Sequence, residues 1–388
     1  MAHAHGPSGP ASSRTRWVLA WILVPLAVLT VIGLAVLWPY TGPAEISTET
    51  PTRRDGTVTA VQPQPCQQRT SRQCGTVSVR LTSGEIVTAT IPEGPGSPVV
   101  EPGDDIVVVE SANPGGPTQF AVLDHQRGWQ LVVLVVIFAL ATVAFGRWQG
   151  LAALVGLAVS FAILLTFILP AIAVGRSPLL VAVVGAAAIM FAVLYLTHGI
   201  NVQTSVAVLG TLVSLALTGG LAAVATSALH LTGFGSEDTG LLAVYLGEID
   251  PRGLLLAGIV IGTLGVLDDV TVTQAATVGE LAQANPALGA RALYRAATRV
   301  GRAHIASTVN TIVLAYAGAS LPLLLLVILS GQPASTILTS EFIADEIVRS
   351  VVGTLGLIAA VPVTTWLAAV VTAPPHLAHH HEPAPPTG

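Results

Sequence analysis

The chain has 388 residues, 52% hydrophobic and 10% charged, with a formal net charge of −5 and a mean hydropathy of +0.74. So little charge cannot cover a soluble protein of this length, and the apolar residues come in long blocks of the kind that dissolve in lipid. All sixteen basic residues are arginine, and they form no patch interleaved with aromatics, so nothing supports a nucleic-acid interface.

Residues 1–16 are rich in Gly, Pro, Ser and His and read as a disordered cytoplasmic tail. Residues 17–38 are continuously apolar, behind Arg14 and Arg16. The stretch is longer than the apolar core of a cleavable signal, so it reads as an uncleaved transmembrane helix. Residues 39–128 change character. Alternating runs at 57–61, 75–81, 85–91, 106–110 and 118–123 are separated by turn signals, notably Ser83-Gly84. About five short strands predict a small all-β barrel of OB or SH3-like type, an extracytoplasmic domain between the first two spans. Its strands lack the aromatic and basic residues used for nucleic acids or sugars, which favours a structural module or one that docks an envelope protein. Cys66 and Cys74 lie in this segment and can close a short disulfide loop in an oxidising compartment.

From residue 129 to 372 the chain reads as a seven-helix membrane domain. Apolar blocks at 129–146, 151–174, 178–197, 202–223, 253–272, 306–330 and 349–371 each approach the length needed to cross ~30 Å of hydrocarbon. With the first helix they make eight spans. Arginine placement sets the orientation. With the N-terminus cytoplasmic, the inner segments hold Arg14, Arg16, Arg147, Arg291, Arg295, Arg299 and Arg302, and the short outer loops hold Arg176, Arg252 and Arg349. Both termini are then cytoplasmic and the barrel lies outside. Residues 373–388 form a second disordered tail, whose His376, His379, His380 and His381 have no scaffold for a metal site.

The sixth span is the most informative. Fifteen apolar residues, 253–267, precede Asp268 and Asp269, and fifteen residues cover only about 22 Å. At least one carboxylate therefore sits at membrane depth, at about 2.5–3.5 kcal/mol on insertion scales, and needs a cavity or a partner. Asp269, Thr273, Ala276 and Glu280 fall on one stripe that suggests a polar pathway. The alternative is that the span ends near Leu267 with both acids among headgroups. Arg299, Arg302, His304 or His198 are candidate inner-face partners. On the seventh span, Asn310 and Tyr316 can face the same seam or serve as interhelical hydrogen bonds. Gly258 and Gly262 form a small-residue motif suited to close packing. Asp345 and Arg349 have the spacing of an i,i+4 pair at the start of the last span. In the loop 224–252, the spacing of Glu237, Asp238, Glu248 and Asp250 is not diagnostic of a metal site. No serine-hydrolase elbow, zinc-protease helix or P-loop occurs, so the chain reads as neither an enzyme nor a cofactor binder.

These residues also carry a resemblance. The run from Gly262 through Asp268-Asp269-Val270, followed by Glu280-Leu281 and Asn285-Pro286, resembles the YibE/F-like membrane proteins. So do Gly301-Arg302, Thr308 to Thr311, Leu314 to Gly318, Glu346 to Arg349, Gly353, Pro362, and His198 to Asn201. The resemblance spans roughly residues 125–372. It implies a multipass membrane protein, commonly bacterial, and no established substrate or reaction. The family pattern has one Asp, at the Asp269 position before Val, so the resemblance passes any role to Asp269 ahead of Asp268. The combined expectation is a bacterial inner-membrane protein that moves a small solute or ion along these acids, or a scaffold or sensor whose external domain docks a partner.

Overall fold

The structure, a computed structural model, describes residues 13–42, 52–111, 118–235, 237–246, 250–331 and 333–373. The expectations for residues 1–12 and 374–388, and for Glu248, fall outside these, as do the side chains of Glu237 and Asp238. The chain divides into two compact units, residues 45–150 and residues 1–44 with 151–388. The smaller unit thus runs past the boundary at 128 expected from composition and includes the first turns of a long helix.

In that unit five strands close a barrel: β1 (Thr52–Pro63), β2 (Gly75–Leu81), β3 (Ile86–Ile91), β4 (Asp105–Ser111) and β5 (Gln119–His125), in the order β1-β2-β3-β5-β4. β1 closes it by pairing antiparallel with both β2 and β4, and β3 meets β5 in parallel. Alternate residues point inward, so Val58, Val77, Val79, Val87, Ala89, Ile106, Val108 and Val122 form one core. Gly56 pairs with Leu81 on one side and Ile106 on the other, and a Cβ there would meet Val79 and the Arg80 backbone. Ser83-Gly84 makes the β2–β3 turn, with Gly84 at φ 89°. Cys66 and Cys74 are joined in a disulfide with a Cα–Cα distance of 5.3 Å, pinning the β1–β2 loop.

The larger unit is helical. α1 (Ser13–Leu37) is followed beyond the barrel by α2 (Gly128–Ile163), a π turn (Leu164–Ile168) and α3 (Leu169–Ala173). Then come α4 (Pro178–His198), α5 (Val202–Ala228), α6 (Glu237–Leu246), α7 (Pro251–Ala284), α8 (Ala290–Ala319), α9 (Leu321–Leu329), α10 (Ala334–Leu338) and α11 (Glu341–Thr372). α5, α7 and α11 pack mutually at the centre, α4 lies on α7, and α8 lies on α11 and α7. Asn201 caps α5 by accepting from the Thr204 amide at 2.8 Å, and Asp250 caps α7 by accepting from Gly253 at 2.9 Å.

Among the described residues, six helical stretches are long and apolar enough to span a membrane, or seven if α8 and α9, bent by 63°, act as one. The eight-span expectation separates 129–146 from 151–174, whereas the structure joins them in one 46-residue stretch, Gly128–Ala173. That stretch is broken at Arg147, with φ 52° and ψ −126°. The segment between the sixth and seventh apolar blocks, which holds four of the inner arginines, is mostly helix. Arg291, Arg295, Arg299 and Arg302 recur on one exposed face of α8, while Leu293, Ala297 and Gly301 are buried on the other.

Candidate functional site

α7 carries the acids, and its two polar rows part company. Asp269 and Glu280 are exposed, with Thr273 half-buried between them, so the stripe drawn from spacing looks away from the bundle. Asp268 lies on the inward side with Leu264, Thr271 and Ala275. Its Oδ1 is buried and has no hydrogen-bond partner. Of the two acids it is thus Asp268, rather than Asp269, that turns toward the bundle. One helix position is about 100° of rotation, and that turns Asp268 in and Asp269 out.

Of the proposed partners, His304 alone among the described residues comes within ion-pair range of one of these acids. His304 approaches Asp269 at 4.0 Å, too far for a hydrogen bond. Arg299 and Arg302 are exposed and make no ion pair among the described residues. His198 sits in the α4–α5 turn, where its Nδ1 meets the Thr197 hydroxyl at 2.7 Å. Asn310 is exposed on α8. Tyr316 points inward, its hydroxyl 3.0 Å from where a Gly262 Cβ would stand. Tyr316, Gly262, Thr263, Ile312 and Gly353 line a cavity of about 20 Å³ between α7, α8 and α11, room for one water.

The buried polarity lies on a row that sequence spacing did not single out. Thr263, Thr271 and Gln274 of α7 are 5%, 0% and 0% exposed and face Thr211, Ser214 and Thr218 of α5 and Thr364 and Thr365 of α11, all fully buried. The Thr211 and Thr271 hydroxyls touch at 2.5 Å. Thr365 donates to Gln274 Oε1 at 2.9 Å, while Gln274 Nε2 and Thr364 Oγ1 are buried without partners. Leaving a buried amide or hydroxyl unpaired costs about 1–3 kcal/mol, so such groups mark positions where a water molecule would be held. The signal was legible: Thr263, Thr271 and Gln274 share the helical face of Leu267, Val270 and Val278, all buried.

Glycines bring these helices together. A Cβ at Gly210 would strike Thr364, at Gly356 Thr218, at Gly353 Thr263, and at Gly301 both Val361 and Gln274. Gly258, half of the motif chosen from spacing, has nothing within 4 Å of such a Cβ. At the start of α11, Arg349 pairs with Glu346 at 3.4 Å rather than with Asp345. Asp345 is buried against Gly235, and Glu341 accepts from the Thr232 amide at 2.5 Å, the Thr232 hydroxyl at 2.6 Å and the Gly233 amide at 3.0 Å. Among the described residues no three His, Cys, Asp or Glu side chains gather as metal ligands.

A family model described as YibE/F-like protein matches residues 134–374, the whole run that holds α4 to α11 and the row just described. The chain belongs to the YibE/F-like family. The match begins after the barrel, so kinship covers the helices from α2 onward and leaves α1 and residues 52–125 outside it. No curated protein and no solved structure matches this YibE/F-like chain.

Proposed function

We propose that this YibE/F-like protein moves a small solute or ion across a bacterial cytoplasmic membrane, through the α5–α7–α8–α11 core and without enzymatic chemistry. One observation carries the reading: Asp268 keeps a buried, unpartnered carboxylate oxygen on the inward face of a 34-residue apolar helix, on the row that leads to Thr271 and Gln274. A group so expensive at that depth needs a wet or occupied path. Asp268, Thr271, Gln274 and Tyr316 belong to the path, and Asp269, Glu280 and Asn310 do not.

Eight spans, with both termini cytoplasmic and the barrel external, fit this reading. The stretch Gly128–Ala173 is about 70 Å long as a helix, more than twice the hydrocarbon thickness. The break at Arg147 falls beside Trp148, an exposed residue suited to an interface, and leaves two segments of span length. Strand order and the parallel β3–β5 seam favour an OB-type barrel over an SH3-like one.

The test is flux into liposomes holding the purified chain, with a trapped pH dye and a potassium diffusion potential, repeated with sodium- and potassium-sensitive dyes. Flux above protein-free vesicles is expected, falling to the protein-free level in Asp268→Asn. Absence of all three fluxes in the parent protein sinks the proposal. The barrel, with a core of its own, favours a second reading, a scaffold that docks an envelope partner. On that reading Asp268→Asn is harmless and deletion of residues 52–125 is damaging.

A further inference from the structure

The barrel carries a cavity of about 450 Å³, in the size range of small-ligand sites. Thr70, Arg72, Ser97, Asp124, His125 and Arg127 contribute its polar wall, with Val99 and Leu123 adding apolar surface. The groups come from three places: the disulfide-closed β1–β2 loop, the loop before β4, and the end of β5. The two loops are bonded to each other. Gln73 and Val100 exchange hydrogen bonds of 3.0 and 2.7 Å, Gly94 donates to Ser71 at 2.9 Å, and Glu93 accepts from the Gln67 and Gln68 amides at 2.9 and 3.0 Å. The wall is therefore set before any ligand arrives.

Its charge is positive. Arg127 pairs with Asp124 at 2.5 Å, but Arg72 has no acidic partner among the described residues, so one guanidinium stays uncompensated. Ser97 Oγ is buried and has no hydrogen-bond partner. The imidazole of His125 is anchored by a 2.9 Å contact between Nε2 and the Val99 carbonyl, so Nε2 carries the proton. A guanidinium fork, a second guanidinium and unspent hydroxyls suit tetrahedral oxyanions. Arg127 is the residue before Gly128, where α2 begins, and the exposed Trp129 that follows is suited to the membrane interface.

We propose that this cavity binds a phosphate group, with Arg72 as the main contact, Ser97 as a hydroxyl donor and Arg127 as a second cation. The phosphate is either the headgroup of an anionic lipid or free in solution. The full chain in detergent is titrated calorimetrically with inorganic phosphate and, separately, with short-chain phosphatidylglycerol. Saturable heat with inorganic phosphate assigns a free ligand, and saturable heat with the lipid alone assigns a headgroup. In either case Arg72→Glu should weaken binding roughly tenfold or more, and Arg72→Lys less, because lysine keeps the charge and loses the fork. Circular dichroism and an intact disulfide verify that both variants fold. Absence of binding to both probes, or binding that Arg72→Glu leaves unchanged, overturns the proposal.

Discussion

Gly301 stands where α8 comes closest to the buried amide. A Cβ built there lies 2.7 Å from Val361 Cγ1 and 2.9 Å from Gln274 Nε2, so any side chain forces two helices apart. Gly301→Val should destabilise the helical unit by about 1–3 kcal/mol, the usual range for overpacking, read as a lower melting temperature in detergent. Gly258→Ala, with open space around it, should leave that temperature unchanged. In the barrel, Arg127 and then the His125 amide hold the exposed Asp124 carboxyl below the usual carboxylate range. A depressed folded-state pKa stabilises above the unfolded value, and that contribution fades as pH falls through the folded one. The Asp124–Arg127 contact should therefore persist at neutral pH and open only under acid, below the ordinary carboxylate titration. Following the Asp124 carboxyl carbon by NMR through an acid titration checks this, and a midpoint at or above 4 would contradict it.

At the scale of elements, period and turn chemistry carried most of the fold. The five strands, the Ser83-Gly84 turn and the helical blocks follow from alternation and apolar length, and the structure has strands and helices at those places. Helix ends were less legible. α7 runs to Ala284 and α8 begins at Ala290, because amphipathic turns outside an apolar block still pack one face on the bundle. The candidate site was legible in part. Spacing put both carboxylates on one helix, as they are on α7, but not on a face, since Asp268 and Asp269 differ by one residue and only packing against α5 and α11 decides which turns inward. Thr263 and Thr271 gave no signal because threonine in an apolar run reads as a tolerated residue. Arg72 and Arg127 lie outside the strands, in segments far apart in sequence that only folding brings to one wall.

For the whole molecule, the number of crossings turns on the break at Arg147. If α2 turns back there, a cysteine placed at Trp148 faces the cytoplasm and one at Arg176 faces outward. A membrane-impermeant maleimide should then label Arg176→Cys in intact cells and Trp148→Cys only after permeabilisation, with native Cys66 and Cys74 silent in their disulfide. Labelling of Trp148→Cys in intact cells would remove the eighth span.

The hydroxyl row has a further consequence for what can dwell in the core. Thr211 gives its proton to the Ala207 carbonyl, Ser214 to Gly210, Thr218 to Ser214, and Thr263 to Ile259, each four residues back in its own helix. With their hydrogens spent at home, these side chains offer neighbours only lone pairs. A guest that brings protons or positive charge would meet a lining ready to solvate it, whereas a bare anion would find fewer donors, chiefly the Gln274 amide and the unpartnered Thr364 hydroxyl.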